Sequence, residues 1–386
     1  MKRAPLLKCL LAVLLLSTAP FSSDAAPSSP LPPNYRPALN TVEGGLWHAL
    51  DQAELDLRLS PLLVKDEALN EYVRKVACDL AGRQCPSLRV YVVNDATPNA
   101  FCAANGMIVV WTGLLLRVQS EAELAFVLGH EISHYSNRHS VQSLERITRT
   151  AGLASFLSIA VGNVAGLIAI GALASYSRDQ EREADTGGFE LAVAKGYDPR
   201  LGAAFFVKVG EEEKATPRRS RPSPYVASHP ATSERLDTLN KRAAEIEAQT
   251  NANVAGVDAH RAATGSHRSE WLEAELNRGQ YADSLVVINQ LIKTEPGSAE
   301  LQYFLGEIYR RRNADGDLER ASTAYQAALA AGRAPLAVHR GVGLVALKAG
   351  QKDVARSAFE EYLVKVPEAT DRAMIQFYLQ SMGGTQ

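Results

Sequence analysis

Cysteine is scarce in this chain, with four residues in 386. Cys9 lies in the N-terminal segment, and the other three, Cys78, Cys85 and Cys102, do not have the spacing of a metal site. We therefore interpret these thiols as structural rather than metal-binding. An oxidising compartment would permit a disulfide, for which Cys78 and Cys85 close the shorter loop, and the odd count leaves one thiol over.

An excess of charge of one sign is also lacking. The formal net charge is −2, and no basic tract extends beyond a short loop. Nucleic-acid-binding surfaces show clustered Lys and Arg, so nothing in the composition suggests nucleic acid as a partner. The roughly 360 residues after the N-terminal segment exceed what one core usually serves, so two domains are expected.

The first 25 residues have the pattern of a secretory signal peptide. Lys2 and Arg3 supply positive charge, residues 10–16 form a short apolar core, and small residues follow it. We predict cleavage near Ala25 and export to the periplasm or an equivalent compartment. The apolar core is too short to anchor the chain across a membrane.

Residues 130–134 read His-Glu-Ile-Ser-His, the pattern H-E-x-x-H. Ser120 and Glu123 form a capping box before an apolar run, which predicts that a helix begins there. Two imidazoles at i and i+4 share one helix face and can bind one metal ion, with zinc the expected ion. Glu131 is then placed to act as general base on a water at the metal. The alternative is a surface helix whose histidines have this spacing by accident.

A catalytic zinc site needs a third protein ligand and leaves a fourth position for water. Glu181 and Asp185 lie at i and i+4, so their carboxylates share one helical face. One can bind the metal while the other accepts a hydrogen bond from the free ring nitrogen of a ligand histidine. The alternative is a solvated helix face, because arginines are interleaved with the acidic residues.

Together these motifs resemble the M48 family of zinc metallopeptidases. H-E-x-x-H is followed by Ser-Arg-x-x-Glu-x-x-Ala-Asp, and the remaining resemblance lies in the stretches 98–101, 106–110, 113–115 and 228–230. The matches run in family order from about residue 45 to residue 245. With the helical repeat that follows, the chain is similar to the BepA-type periplasmic protease-chaperones of Gram-negative bacteria. The segment 102–105 departs from the family pattern, which has small or apolar residues there.

The resemblance implies a role for each motif residue. His130, His134 and Glu181 would be the ligands of one zinc ion per chain, and Glu131 would be the catalytic general base. Asp185 would be the outer carboxylate that orients a ligand histidine. The same resemblance implies a mainly helical protease domain with a small sheet, of the zincin-like kind.

His229, in the Ser-His-Pro stretch, would lie near the open coordination position. The resemblance implies that it stabilises the oxyanion during catalysis or occupies the fourth metal position and holds the enzyme latent. The residues alone favour a solvated loop position, since a His before Pro in a polar loop is commonly exposed.

Asn99, Ala100 and Phe101 correspond to the family's Asn-Ala-Phe stretch and would bind substrate. The segment 107–111 is β-branched and apolar, which predicts a strand. If that strand is an exposed sheet edge, a substrate peptide could pair with its main chain, which would explain a loose sequence preference. A buried strand is the alternative.

The segment 151–176 has no charged side chain over 26 residues and has the length of a transmembrane helix. A single crossing would separate Glu181 from His130 and His134, which must meet at one zinc ion. We therefore favour a helical hairpin that packs on the domain or dips into a membrane surface. Peripheral membrane contact is a hypothesis on this basis.

A polar, aperiodic stretch over 250–266 is interpreted as an interdomain linker. Beyond it, large side chains recur with spacings of 37 and 34 residues, at Ile288, Tyr325 and Phe359. Gly306 and Gly343 occupy a small-residue position, and the pattern resembles the tetratricopeptide repeat (TPR). About three units would form a short curved solenoid with a protein-binding surface. A helical cap that only packs on the protease domain is the alternative.

We thus predict a signal peptide over 1–25, an M48-like α+β protease domain over 26–249, a linker, and an α-helical repeat domain over 267–386. The expected function is an exported zinc endopeptidase that degrades misfolded or stalled envelope proteins. Its repeats would bind clients or the outer-membrane assembly machinery. The alternative is a chaperone or assembly adaptor in which the repeats dominate and the zinc site is latent.

Overall fold

The computed structural model describes residues 31–151, 176–216, 222–230, 233–247 and 249–383, with the side chains of 147–151 excepted. The predicted signal peptide and nearly all of the charge-free segment 151–176 lie outside these ranges. Among the helices within them, none is long and apolar enough to cross a membrane.

Within these ranges the chain is mainly helical with one small sheet, as predicted. The N-terminal part contains α1 (Val42–Leu59), α2 (Glu67–Ala81), β1 (Arg89–Val93), β2 (Ala100–Cys102), β3 (Met107–Trp111), α3 (Thr112–Arg117), α4 (Glu121–Ser136), α5 (His139–Ala151), α6 (Arg178–Ala194), α7 (Ala204–Ala215), α8 (Pro224–Ser228) and α9 (Ser233–Glu247). The C-terminal part contains α10 (Val257–Thr264), α11 (Arg268–Asn277), α12 (Tyr281–Thr294), α13 (Ala299–Arg312), α14 (Asp317–Ala331), α15 (Val338–Lys348), α16 (Lys352–Lys365) and α17 (Arg372–Gly383).

The three strands form one sheet in the order β1-β3-β2. β1 runs parallel to β3, and β2 runs antiparallel to it, with Phe101 opposite Val109. All five residues of β3 are buried, as a continuous apolar run favours when both faces are covered. The strand prediction for 107–111 is confirmed. The exposed-edge hypothesis for this strand is wrong, because hydrogen-bonded neighbours lie on both of its sides.

A disulfide joins Cys78 and Cys85, the pair that closes the shorter loop, and it links the end of α2 to the turn before β1. Cys102 is a free, buried thiol on β2. Burial, and to a smaller extent the nearby Glu131, raises the pKa of Cys102 well above its usual value. The thiol is therefore held in its neutral form.

The segment 250–266, interpreted from composition as a linker, is fixed to the protease part. The Val254 amide donates to the Gly196 carbonyl at 3.0 Å, and the Val254 carbonyl accepts from Asp198 at 3.1 Å. The Gly256 carbonyl accepts from the Glu121 amide at 3.2 Å, at the start of α4. These main-chain bonds and helix α10 hold the segment in place, and main-chain bonds of this kind leave no side-chain signature in the sequence.

The repeats pack through the small residues that the sequence marks. A Cβ atom at Gly306 would lie 2.5 Å from the Tyr325 ring, and one at Gly343 would lie 2.4 Å from the Phe359 ring. Real Cβ atoms do not approach this closely, so glycine at each position lets an aromatic ring of the following helix contact the backbone. In each of these two repeats, the aromatic side chain of the second helix thus fills the space beside the glycine of the first helix.

A buried ion cluster joins the repeats to the protease part. Arg117 of α3 is fully buried, and its Nη2 lies 2.8 Å from Glu212 of α7 and 2.9 Å from Glu275 of α11. Burial raises the pKa of Glu212 even beside this guanidinium. Burial also opposes ionisation of Glu275, but Arg117 and Arg278 together hold its pKa below the usual range.

Arg117→Met is expected to lower the free energy of unfolding by about 3–5 kcal/mol at pH 7, because two buried carboxylates lose their shared partner. Adding Glu212→Leu should recover much of the loss, since Glu275 keeps Arg278. The stranded Glu212 has a raised folded-state pKa, so its cost vanishes at low pH and grows as pH rises from 5 to 7.

Urea unfolding followed by circular dichroism at both pH values measures these effects. Arg36→Met is the matched control, because Arg36 is 74% exposed and pairs loosely with Asp51 at 3.4 Å; little change is expected there. A loss for Arg117→Met that is equal at pH 5 and pH 7 would contradict the charge argument.

Candidate metal centre

Helix α4 carries the H-E-x-x-H residues and begins where the sequence predicts. Ser120 is its N-cap, and the Ser120 hydroxyl accepts a hydrogen bond from the Glu123 amide at 3.1 Å. Glu123 in turn accepts a bond from the Gln119 amide. The cap fixes the phase of the helix, so that His130 and His134 lie on one buried face.

Helix α6 carries the carboxylates. Ser177 and Gln180 form a reciprocal capping box that starts this helix. Glu181 and Asp185 follow one turn apart, and both are buried. The capped first turn thus presents Glu181 directly to α4.

The two helices cross with their backbones in contact at Gly129 and Gly188. A Cβ atom at Gly188 would lie 2.7 Å from the His130 amide nitrogen, and one at Gly129 would lie 2.9 Å from the Gly188 carbonyl oxygen. These distances are too short for any side chain, so both positions require glycine. The contact brings the short carboxylate of Glu181 within reach of both imidazoles.

Four buried side chains converge at one point: His130, His134, Glu181 and His229, each offering one ligand atom, with all these atoms within 4.8 Å of one another. His134 Nε2 lies 3.0 Å from His130 Nε2 and 3.3 Å from Glu181 Oε1. Tetrahedral zinc with bonds of about 2.0–2.1 Å would separate its ligand atoms by roughly 3.3 Å. Three ring nitrogens and one carboxylate at these separations therefore fit a zinc ion.

Glu131 lies beside this cluster and is 1% exposed. Its Oε1 lies 3.5 Å from His229 Nε2 and has no hydrogen-bond partner in the described part of the chain. Burial raises the pKa of Glu131, and His229 and His130 partly offset this effect. A buried carboxylate oxygen without a partner is costly, which fits a group that faces a water or substrate.

The outer contacts of the cluster come from α6 and α9. Asp185 Oδ1 lies 2.9 Å from His130 Nδ1, the ring nitrogen on the side away from His134. Arg235 donates to both Asp185 oxygens at 2.7 Å, and its Nη1 lies 2.9 Å from Glu181 Oε2. Its guanidinium also stacks over the Phe206 ring at 4.1 Å. Arg235 therefore holds both carboxylates in place, a role that the sequence motif alone did not assign.

His229 directly follows helix α8 and is 1% exposed, which excludes the solvated-loop interpretation. Its amide donates to the Tyr225 carbonyl at 2.8 Å, so both side chains lie on the same side of the short helix. Its Nδ1 lies 3.0 Å from Glu181 Oε1 and 3.1 Å from His130 Nε2. Burial opposes the charged form, but Glu181 and Glu131 raise the pKa of His229 overall.

The predicted substrate-binding residues lie on β2 and directly before it. Asn99, Ala100 and Phe101 are all buried, and the Asn99 carbonyl accepts from the Trp111 amide at 3.0 Å. The Phe101 ring packs on Trp111 and in a core cluster with α1. The Phe101 side chain therefore lies in the core.

Sequence reasoning missed two residues that contact His134, namely His139 and Tyr176, and a third, Glu183, that contacts His139. His139 Nδ1 lies 2.8 Å from His134 Nδ1, and His139 Nε2 lies 3.3 Å from Glu183 Oε2. The Tyr176 ring stacks on His134 with centroids 3.8 Å apart. Burial lowers the pKa values of both His134 and His139, which keeps both rings neutral. The only sequence signal was a third histidine shortly after the motif, off its helical face.

Comparison with known proteins agrees with this geometry. Residues 64–243 match the family model described as Peptidase family M48, and residues 314–370 match a tetratricopeptide repeat model. The chain therefore carries an M48 peptidase domain, the domain of a class of metalloendopeptidases, followed by tetratricopeptide repeats. This confirms the resemblance that the motifs indicated.

Individual relatives include assembly-enhancing proteases. The chain is 30% identical over 275 residues to the putative beta-barrel assembly-enhancing protease of Vibrio cholerae, covering 62% of this chain and 56% of that protein. It is 28% identical over 207 residues to the beta-barrel assembly-enhancing protease of Escherichia coli, covering 49% and 42%. A mitochondrial metalloendopeptidase OMA1 of Arabidopsis thaliana is 37% identical over 127 residues, covering 32% and 26%. The chain thus spans about half the length of the assembly-enhancing proteases it matches.

Gly188→Ala is expected to separate α4 from α6, because the new Cβ would meet backbone atoms of α4 that cannot rotate away. We expect at least a tenfold loss of zinc affinity, on the order of the loss when ligand support is removed, and a loss of about 1–3 kcal/mol in stability. Competition with a zinc-chelating dye and urea unfolding measure the two effects.

Gly210→Ala is the matched control. An added Cβ there meets nothing within 4 Å, so the change should leave zinc affinity unaltered and stabilise helix α7 by about 0.5–1 kcal/mol. Parent-like zinc affinity in Gly188→Ala would contradict the crossing argument.

Proposed function

We propose that this chain is an exported zinc-dependent endopeptidase that hydrolyses peptide bonds in misfolded or stalled envelope proteins. The observation that carries the proposal is the buried convergence of His130, His134 and Glu181 beside Glu131, whose Oε1 accepts no hydrogen bond from the described residues. This is the donor set of a catalytic zinc site with a general base within reach. The M48 match over the same residues supports it.

The chain's own side chains provide positioning and proton transfer. A bound zinc ion would polarise the scissile carbonyl and lower the pKa of water towards neutrality. Glu131 would take the proton of the attacking water and pass it to the leaving amine. Its raised pKa brings its proton affinity closer to that task. Asp185 would hold the ring of His130 in position during the reaction, and Arg235 would hold the carboxylate of Glu181.

His229 would close the site. Its Nδ1 lies as near to the other ligand atoms as they lie to one another, which favours the fourth-ligand role over an oxyanion role for this arrangement. Substrate could then enter only after His229 and the short helix α8 withdraw. This supports a latent state and keeps the adaptor alternative open, in which proteolysis is secondary to the repeats.

The substrate would lie along β2. Ala100 and Cys102 alternate with the residues that bond to β3, so their main-chain groups face away from that strand. A peptide that pairs with this edge would be recognised mainly by its backbone. Asn99, Ala100 and Phe101 would therefore give little selectivity for side chains.

The repeats would bind protein clients or the outer-membrane assembly machinery. The names of the relatives from Vibrio cholerae and Escherichia coli, beta-barrel assembly-enhancing proteases, support this partner class. Export to the periplasm, with signal cleavage near Ala25, and peripheral membrane contact through 151–176 belong to the same proposal.

The mature chain is expected to cleave an unfolded test protein such as casein, while Glu131→Gln should lower the rate by 10² or more, as removal of a general base does. Zinc content should stay at one ion per chain in both, because Glu131 is not a ligand. Cleavage by neither protein, with zinc bound, would favour the adaptor alternative, and equal cleavage by both would overturn the assignment of Glu131.

His229→Ala separates the two roles of that residue. If His229 closes the site, casein cleavage should rise severalfold above the parent rate, since the competent fraction increases. If His229 instead stabilises the oxyanion, cleavage should fall by about 10²–10³. The initial rate of casein cleavage decides, with His339→Ala in the repeats as the control expected to match the parent.

A further inference from the structure

We propose that His139 and Glu183 are positioning residues of the metal centre. His139 accepts a hydrogen bond from the outer nitrogen of His134 and donates one to Glu183, and this chain fixes the tautomer in which His134 can bind a metal. The inference rests on the proposed function, because it requires that His134 holds the ion.

The two ring nitrogens of His134 face different partners. Nε2 faces the ligand cluster, 3.0 Å from His130 Nε2 and 3.3 Å from Glu181 Oε1. Nδ1 faces outward, 2.8 Å from His139 Nδ1. A neutral imidazole that binds a metal through Nε2 must carry its proton on Nδ1.

The proton positions along the chain follow from this requirement. If His134 carries its proton on Nδ1, then His139 Nδ1 can only accept, and the His139 proton is on Nε2. That nitrogen lies 3.3 Å from Glu183 Oε2, and an ionised carboxylate accepts but cannot donate. Glu183 therefore selects the arrangement that leaves the Nε2 lone pair of His134 free for a metal.

A strained turn brings His139 to this position. Arg138 has φ of 56°, a left-handed conformation that is unfavourable for a residue with a side chain. Its guanidinium forms an ion pair with the buried Glu43 and lies 5.8 Å from the Tyr35 ring. The turn connects α4 to α5, and His139, which is fully buried, packs against His134.

The ring of His134 is also fixed on its face. Tyr176 stacks on it with an interplanar angle of 19°, and the Tyr176 and Ser140 hydroxyls are 2.9 Å apart. Ser140 directly follows His139, so the first turn of α5 supports His134 from two directions. The contact of His139 with Nδ1 and the stacked Tyr176 ring together fix the orientation of the His134 ring.

The two ligand histidines are supported differently. His130 contacts the buried carboxylate of Asp185 directly, whereas an imidazole lies between His134 and Glu183. The Glu183 side chain is 60% exposed, so its charge stays solvated. Loss of His139 should therefore weaken metal binding more than loss of Glu183.

The test measures Zn²⁺ affinity of the full chain at pH 8 by competition with a chelating dye. His139→Leu should lower the affinity by about tenfold to a hundredfold, as removal of such outer partners does. His139→Asn keeps an acceptor near the position of Nδ1 and should recover most of the affinity. Glu183→Ala should lose less, on the order of threefold to tenfold.

Substituting Co²⁺ gives a second readout. The visible absorption band of the Co²⁺ protein should shift in His139→Leu and return to the parent position in His139→Asn. His339→Leu is the matched control, because His339 also pairs with a glutamate, Glu361, at 3.2 Å but lies in the repeats; it should match the parent.

The outcomes separate the two proposals. If the parent binds no zinc, the metal site fails and this inference fails with it. If the parent binds zinc and His139→Leu binds it within twofold of the parent, the inference alone is overturned. Should His139→Leu not fold, as judged by circular dichroism of the metal-free protein, parent-like affinity in Glu183→Ala overturns it instead.

Discussion

The backbone contact between α4 and α6 is the constraint on which the candidate metal centre depends. Imidazole and carboxylate side chains are short, so one ion can join two helices only if the helices nearly touch. Gly129 and Gly188 permit that approach, because any side chain at either position would overlap backbone atoms of the other helix. The capping boxes set where each helix begins, and the crossing sets how the ligand faces meet. Two glycines, which have no functional side chain, therefore determine how the candidate ligand residues are arranged.

The sequence predicts a feature of the site when the residues that determine this feature lie within one helix or strand. The start of α4 at Ser120, the shared face of Glu181 and Asp185, and the strand at 107–111 follow from spacing within one element, and the structure has them in place. The small residue beside the aromatic ring in the repeats was also visible as a periodic pattern. These features need no knowledge of tertiary structure.

Features that depend on two distant segments were not predictable in the same way. His139 reaches His134 only because Arg138 adopts a left-handed conformation, which is uncommon for a residue that is not glycine. The polar stretch around Val254 looked like a free linker, yet its main chain pairs with the segment 196–198 and caps α4. β3 is central because it pairs with a strand on each side. Its own sequence does not distinguish such a strand from one at the edge of a sheet.

Helix α7 connects the repeats to helix α8, which directly precedes His229. Glu212 on this helix and Glu275 of the repeats both pair with Arg117 in a buried cluster. This cluster tolerates little displacement, because a buried charge is costly unless its partner stays close. Glu213, the next residue, accepts a hydrogen bond from the Ser223 amide at the start of α8. Helix α7 is thus held by the repeats on one side and holds the first turn of α8 on the other. If His229 withdraws as proposed, the movement must either break the bond at Ser223 or displace α7 against its buried charges. Breaking the hydrogen bond that the neutral Ser223 amide donates to Glu213 costs far less free energy than disturbing the buried ion cluster. We therefore expect the site to open by local movement of α8, while the repeats stay in place.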